Sequence, residues 1–467
     1  MRPLEQTVGP AAVPPLRGNR NFLLLWVGSG VAALGSRATS IGYTLLVYWS
    51  TGSATAASLV TFAALLPSLV VQLPAGAFVD RWNRRTTMLV CAAGRVVGVG
   101  SVAVAVLLDR VWLPHLMTVA FVEATLGICY ALSERAAVCQ VVPAGQLGAA
   151  MAANESRANA ASILGQPTGT VLYGVARFAP FAVAAVAHVV CLVTLLFVRR
   201  DLRAPRVDPG RTTSLVAQIR EGFDFVWGRV YLRRALSLFA ASNLLFQILG
   251  LGLVVLVAER GGSPATVGLL LVVNSVFGMA GAMTSNLYLR RWGIRRMMIG
   301  INVSWAVLMP LLAVAPGLVA VSVILALVNY GAGIGNVAGM LYLFKAAPDE
   351  LRGRAGSIAT LLASGANSAG ALLAGFLLDA VSMRTALTVV GVTMVVIAVC
   401  AVLAFGSRAA AEAERAEVAA ERAAEAALAE RTEVDPVAEV ERAEADPAAD
   451  RSAGGRTEAD PVATSAR

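Results

Sequence analysis

Three ionisable side chains interrupt long apolar runs: Arg37, Arg95 and Glu123. A charge taken out of water costs several kcal/mol unless it meets an opposite charge or solvent. A carboxylate and a guanidinium in such surroundings are suited to one kind of chemistry. They pair, and when a ligand or water separates them the carboxylate becomes free to exchange a proton. Uncharged polar residues accompany them at helical spacing. Arg37, Ser40, Thr44 and Tyr48 fall on one face of a helix, and Glu123, Gly127, Tyr130 and Glu134 on another. Asn243 and Gln247 are one turn apart, and Asn329 and Asn336 two turns apart.

Other chemistries lack their parts. No GxxxxGK[ST] phosphate loop occurs, so ATP hydrolysis by that machinery is not expected. No nucleophile–base set is recognisable. Cys91, Cys129, Cys139, Cys191 and Cys400 have no metal-ligand spacing and read as small hydrophobes. The expectation is no enzyme, no cofactor and no metal. His115, near the outer mouth, and His188, in the sixth run and away from the cavity, are expected to pack or to sit at an interface.

The elements that must hold these residues are apolar helices. Of 467 residues 57% are hydrophobic and 14% charged, against about 25% charged in soluble domains. The mean hydropathy is +0.70. Twelve runs are long enough to cross a hydrocarbon layer: 22–49, 55–79, 86–108, 113–135, 154–176, 180–198, 235–258, 265–289, 297–314, 317–343, 356–378 and 384–405. Backbone groups in lipid need internal partners, and these runs lack the strict alternation of barrel strands, so an all-α membrane protein is expected. The first 20 residues have no cleavable signal pattern, and the first run reads as an uncleaved span.

Basic residues give the orientation. Only one lysine, Lys345, occurs among the 38 basic residues. Up to residue 405, 24 of 30 basic residues lie in the N-terminus and the even-numbered loops, and four (Arg110, Arg177, Arg260, Arg384) in the odd-numbered ones. By the positive-inside rule both termini are cytoplasmic. The charge is dispersed over one membrane face without interleaved aromatics, so nucleic acid is not an expected partner. The expected domains are a cytoplasmic N-terminus (1–20), a six-helix half (21–198), a basic cytoplasmic linker (199–234), a second six-helix half (235–405) and a low-complexity cytoplasmic tail (406–467). The tail is rich in Ala, Glu and Arg, with 15 acids against 8 arginines, and is broken at Asp435-Pro436, Asp446-Pro447 and Asp460-Pro461. It is expected to be solvated and dispensable.

The halves echo one another. Gly76-Ala-Phe-Val-Asp80-Arg81-Trp82-Asn83-Arg84-Arg85 lies between runs 2 and 3, and Arg290-Arg-Trp-Gly-Ile-Arg-Arg296 between runs 8 and 9, with the Arg-Trp pairs 210 residues apart. The chain resembles a twelve-helix major facilitator superfamily transporter, in the branch of enterobactin-type siderophore exporters and macrolide efflux proteins. The resemblance covers roughly residues 18 to 405. The family's loop pattern G-x-L-x-D-R-x-G-R-R matches Gly76, Asp80, Arg81, Arg84 and Arg85. Phe78 replaces its Leu, and Asn83 its Gly as a residue that tolerates the left-handed conformation.

What the resemblance implies is specific. Two six-helix pseudo-repeats should enclose a cavity lined by helices 1, 4, 7 and 10, and hence by Arg37, Tyr48, Glu123, Tyr130, Asn243, Gln247, Asn329 and Asn336. Asp80 should face the N-terminus of helix 11 and hold the cytoplasmic side shut, with Arg84 and Arg85 paired locally or on lipid phosphates. On helix 5, Gly165, Pro167 and Gly169 echo the exporters' G-P-x-x-G-G, and their bottom-up reading is close helix packing. Drug–proton antiporters carry arginine before the helix 4 glycine, where this chain has Glu123 before Gly127. Glu123 and Arg37 are expected to form the proton-coupling pair, with the bland alternative a fixed ion pair between Glu123 and Arg95. The implied function is proton-driven export of a small amphiphilic molecule (a drug, antibiotic or siderophore-like compound) from a bacterial plasma membrane, by a monomer touching only substrate, protons and lipid. The alternatives are a small-metabolite importer on the same fold, and a transport-dead scaffold or sensor acting through the tail.

Overall fold

The computed structural model describes residues 16–79, 82–198, 215–346 and 349–406. Asp80, Arg81 and the tail from 407 lie outside them. Every regular element among the described residues is helical: α1 (Arg20–Thr51), α2 (Ala54–Val70), α3 (Gln72–Val79), α4 (Arg84–Leu107), α5 (Leu113–Val141), α6 (Leu147–Val175), α7 (Ala179–Leu196), α8 (Leu215–Gly228), α9 (Val230–Glu259), α10 (Pro264–Leu311), α11 (Leu318–Ala346), α12 (Asp349–Ala380) and α13 (Met383–Gly406).

Nine described helices are long and apolar enough to cross a membrane, one of them the 51-residue stretch Pro264–Val314. That stretch joins two expected spans. Gly293, at φ 71° and ψ 165°, supplies the one non-helical residue inside it, a conformation open to glycine alone. The expected loop at 290–296 is thus a kink between two crossings. The second expected span, conversely, is split at Val71 into α2 and α3. Pro74 has no N–H to return to the carbonyl of Val70, so a continuous helix loses a bond there. The fifth span is carried by α6, which begins at Leu147, and its polar first turns keep it out of the apolar set. Counting α2 with α3 as one crossing and α10 as two gives twelve crossings, six on each side of α8. α8 itself is a helix inside the expected linker. Its Val226 packs with Leu232, Ala355 and Ile358.

Local chemistry sets the turns. Gly52 ends α1 in the left-handed conformation (φ 68°), and Ser53 caps α2 by accepting from the Ala56 N–H. Asn83 departs from expectation. At φ −65° it is not left-handed but the N-cap of α4, its side chain accepting from the N–H groups of Arg85 and Thr86. Asn suits this site because its carbonyl oxygen satisfies amides that a helix start leaves free. In the first half α1 packs on α6 and α7, and α4 on α5 and α7. In the second, α10 packs on α11, and α9 on α12. The halves meet along α2 with α12 and along α6 with α10.

Candidate functional site

Part of the polar set, including Arg37, Arg95, Glu123, Tyr130 and Gln247, lines a cavity of about 930 Å³ between the halves. It runs from Arg135 and Glu155, exposed beside the α5–α6 turn, inward to Thr44, Thr61, Gln247 and Leu251. The N-terminal half supplies most of its wall, through α1, α2, α4, α5 and α6. The C-terminal half adds Gln247, Gly250, Leu251, Leu271 and Ala371.

Glu123 is the chemical centre of that wall. It is 7% exposed. Thr39 Oγ1 lies 3.1 and 3.4 Å from its two carboxylate oxygens, and Tyr43 Oη donates to Oε2 at 3.2 Å. Two cationic or potentially cationic groups stand slightly further off: Arg95 Nη2 at 3.9 Å and His188 Nε2 at 3.8 Å, both from Oε1. Arg95 also donates to Ser36 Oγ. His188 is fully buried, and neither ring nitrogen has a hydrogen-bond partner among the described residues. A carboxylate with two hydroxyl donors, and with an arginine and a histidine near it but not hydrogen-bonded to it, can change charge state by a small movement of any of them.

The expected partner of Glu123 is corrected. Arg37 does not pair with it. Residues two apart on a helix point about 200° away from each other. Since Thr39 and, one turn on, Tyr43 face Glu123, Arg37 points to the cavity and α6. No ion pair or hydrogen bond holds its guanidinium among the described residues, and it is exposed on the wall. Arg95, the alternative, occupies the place expected for Arg37. His188, expected away from the cavity, is not among the residues that line it, but the α4–α7 and α1–α7 packing brings its Nε2 to 3.8 Å from Glu123. Thr39 and Tyr43 are the residues that sequence reasoning passed over, and His188 was given only a packing or interfacial role. The i, i+4 polar pair Thr39/Tyr43 was legible, as was a lone histidine in an apolar run.

Other expected wall residues divide. Tyr130 lines the cavity, its hydroxyl 2.8 Å from Ser29 Oγ and accepting from Cys191 Sγ at 3.1 Å. Gln247 also lines it. Tyr48, Asn243, Asn329 and Asn336 lie outside this wall. Asn243 and Asn329 turn back on their own helices, donating to Phe239 O at 2.8 Å and Leu325 O at 2.9 Å. Tyr48 stands edge-on to Trp49 at 5.7 Å near the end of α1, and Asn336 is exposed. Glu134, a second buried acid, is satisfied by Arg157 at 2.7 Å, and Arg157 also donates to Trp26 O.

The expected packing residues sit directly behind this centre. A Cβ on Gly165 would strike the Arg37 stem. One on Gly169 would lie 2.8 Å from Ala38 Cα, and Pro167 between them is buried. These small residues let α6 press on α1 where it carries Arg37 and Thr39. Of the loop motif, Gly76 lies in α3 in open space. Arg84 and Arg85 open α4, and Arg85 donates to Leu196 O at 3.1 Å, a cation on the last carbonyl of α7. Asp80 and Arg81 lie outside the described residues.

Comparison with known proteins bears on this architecture. The family described as "Transmembrane secretion effector" matches residues 10–437. The multidrug efflux pump Tap of Mycolicibacterium fortuitum is 27% identical over 388 residues, covering 82% of this chain and 95% of that protein. Tap of Mycobacterium tuberculosis strain H37Rv is 26% identical over 369 residues, covering 78% and 88%. Among solved structures, the nucleoside transporter NupG superposes with a TM-score of 0.65 at 12% identity, covering 82% of this chain and all of that one. A bacterial homologue of the human lysosomal transporter Spinster, in an inward-facing unoccupied conformation, gives 0.60 at 14%, covering 84% and 96%. An apolar two-half helical bundle around a polar cavity, matched over most of its length by that family, is a membrane transporter: the chain belongs to the transmembrane secretion effector family of the major facilitator superfamily.

Proposed function

We propose that the protein exports small amphiphilic compounds by proton antiport, its cavity alternating between the two faces of a bacterial plasma membrane. The observation that carries this reading is Glu123: a buried carboxylate on the cavity wall, held by hydroxyls, with Arg95 and His188 within 4 Å. Proton uptake on Glu123 releases Arg95 and alters the wall that substrate touches, which couples the two fluxes. The efflux-pump relatives support the outward direction. The cavity mouth near Arg135 and Glu155 faces the cytoplasm in this reading, in line with the basic loops on that side. Asp80 is assigned the gate on the same face, and the molecule works as a monomer.

Everted membrane vesicles test it. With an acidic lumen they are expected to accumulate a fluorescent amphiphile, and a protonophore to release it. Accumulation only in right-side-out vesicles would instead identify an importer. Loss of all flux on removing residues 410–467, with normal abundance, would favour a device working through the tail.

Arg37 has a separate role in this reading. Its unpaired guanidinium anchors an acidic or hydrogen-bond-accepting group of the substrate. Arg37→Gln keeps the stem against α6 and removes the charge. A hydrogen bond to a charged group is worth about 1.5–3 kcal/mol, so affinity for acid-bearing amphiphiles is expected to fall roughly 10- to 100-fold. Affinity for neutral ones should hold. Titration of purified protein by calorimetry measures both.

A further inference from the structure

On the face opposite the cavity mouth, a side chain of one half hydrogen-bonds to the start of a helix in the other. Asp379, at the end of α12, reaches the start of α2, more than 300 residues away in sequence. Its Oδ1 accepts from the Ala54 N–H at 2.9 Å. Its Oδ2 accepts from the Thr55 N–H at 2.8 Å and from Ser53 Oγ at 2.9 Å. A helix start leaves its first N–H groups without intrahelical partners and carries partial positive charge. Ser53 satisfies the third of these groups, that of Ala56. Asp379 satisfies the first two, so a residue of one half completes the cap of a helix in the other. The contact is close-packed one turn inward: a Cβ on Gly375 would strike Ser58 Oγ and lie 2.8 Å from Thr55 Cα, and Ser58 is fully buried.

We propose that Asp379 is the latch that holds this face shut while the cavity is open on the other, and that it must leave the α2 N-terminus each time the transporter turns over. Two charge-assisted hydrogen bonds to backbone amides are strong enough to bias a two-state equilibrium and weak enough to be replaced by water. Opening exposes those amides at the protein surface, where water takes the place of the carboxylate, so the latch carries no desolvation trap. Asp379 is a positioning residue: it sets the populations of the two states and touches neither substrate nor proton in the cavity. The proposal rests on alternation between two states, not on the direction of export or on Glu123.

A cysteine reporter tests it independently of transport. In full-length protein with the five native cysteines replaced, Thr61→Cys lies in the inner cavity behind the latch. A membrane-impermeant maleimide applied from the side of the α1–α2 turn should label it slowly. With Asp379→Ala added, labelling is expected to accelerate on the order of tenfold or more, since all three hydrogen bonds to the carboxylate are lost. Asp379→Asn, which keeps an acceptor, should fall between. Equal labelling of all three overturns the proposal. A second arm uses Ser53→Cys with Asp379→Cys. The oxidised pair should arrest efflux and a reductant should restore it. A cross-linked protein that still turns over at its reduced rate overturns the latch even if the alanine variant fails to accumulate. Labelling that accelerates as expected in a protein showing no proton-driven export would leave the latch standing and remove the antiport reading instead.

Discussion

Glu123→Gln is expected to reduce pH-gradient-driven accumulation nearly to equilibrium while substrate still binds. Coupling free energies between two ligand sites commonly run about 1–3 kcal/mol, a factor of roughly 5–150, and the accumulation ratio should fall by that order. Gln keeps a carbonyl oxygen for Thr39 and Tyr43, so the local hydrogen bonds survive. What it removes is the charge that alternates. Downhill exchange of substrate should persist and should lose its dependence on pH. The substitution also leaves Arg95 facing a neutral amide, and removing one partner of a buried pair costs about 3–5 kcal/mol. If abundance falls for that reason, Glu123→Gln with Arg95→Gln should recover it without recovering accumulation. A Glu123→Gln variant that concentrates substrate at the normal rate shows that the proton travels elsewhere, and Asp80 becomes the next residue to test.

The second large effect is structural. Gly169→Val is expected to deplete folded protein, because the new Cβ would lie 2.8 Å from Ala38 Cα and 2.7 Å from Ile41 Cγ2. Overpacking of a tight contact costs about 1–3 kcal/mol, and here the collision involves backbone, which cannot rotate away. α6 would have to leave α1, displacing the turn that carries Arg37, Thr39 and Tyr43. Gly148→Val on the same helix is the control: nothing stands within 4 Å of its added Cβ. Thermal denaturation followed by size-exclusion chromatography should show a large fall in midpoint for Gly169→Val and little change for Gly148→Val. Similar midpoints for the two would mean that α6 does not depend on this contact.

The amino-acid sequence by itself determined the kind of molecule and most of its crossings. Apolar runs of membrane length, separated by arginine-rich loops, have no stable alternative to helices in lipid, because nothing in hydrocarbon can satisfy a free amide. The same pattern marked Arg37, Arg95 and Glu123 as the residues most in need of an explanation. Their pairing was decided only in three dimensions. Arg37 and Thr39 are near neighbours in the chain, yet a two-residue step on a helix sends them to opposite sides, and which side meets α5 depends on how α1 is rotated against α6 and α7. That rotation is set by close contacts at Gly165, Gly169 and Gly28, the last of which faces Cys191 and Thr194 on α7. His188 joined Glu123 for the same reason. Asn329 and Asn336 share a helix face, but a shared face does not say what it faces, and Asn329 is satisfied by its own helix. Asp379 was the least legible of all. It reads as an ordinary acid at the end of an apolar run, and its importance comes from the start of a helix in the other half, brought beside it by the packing of α2 on α12, a contact that no local pattern encodes.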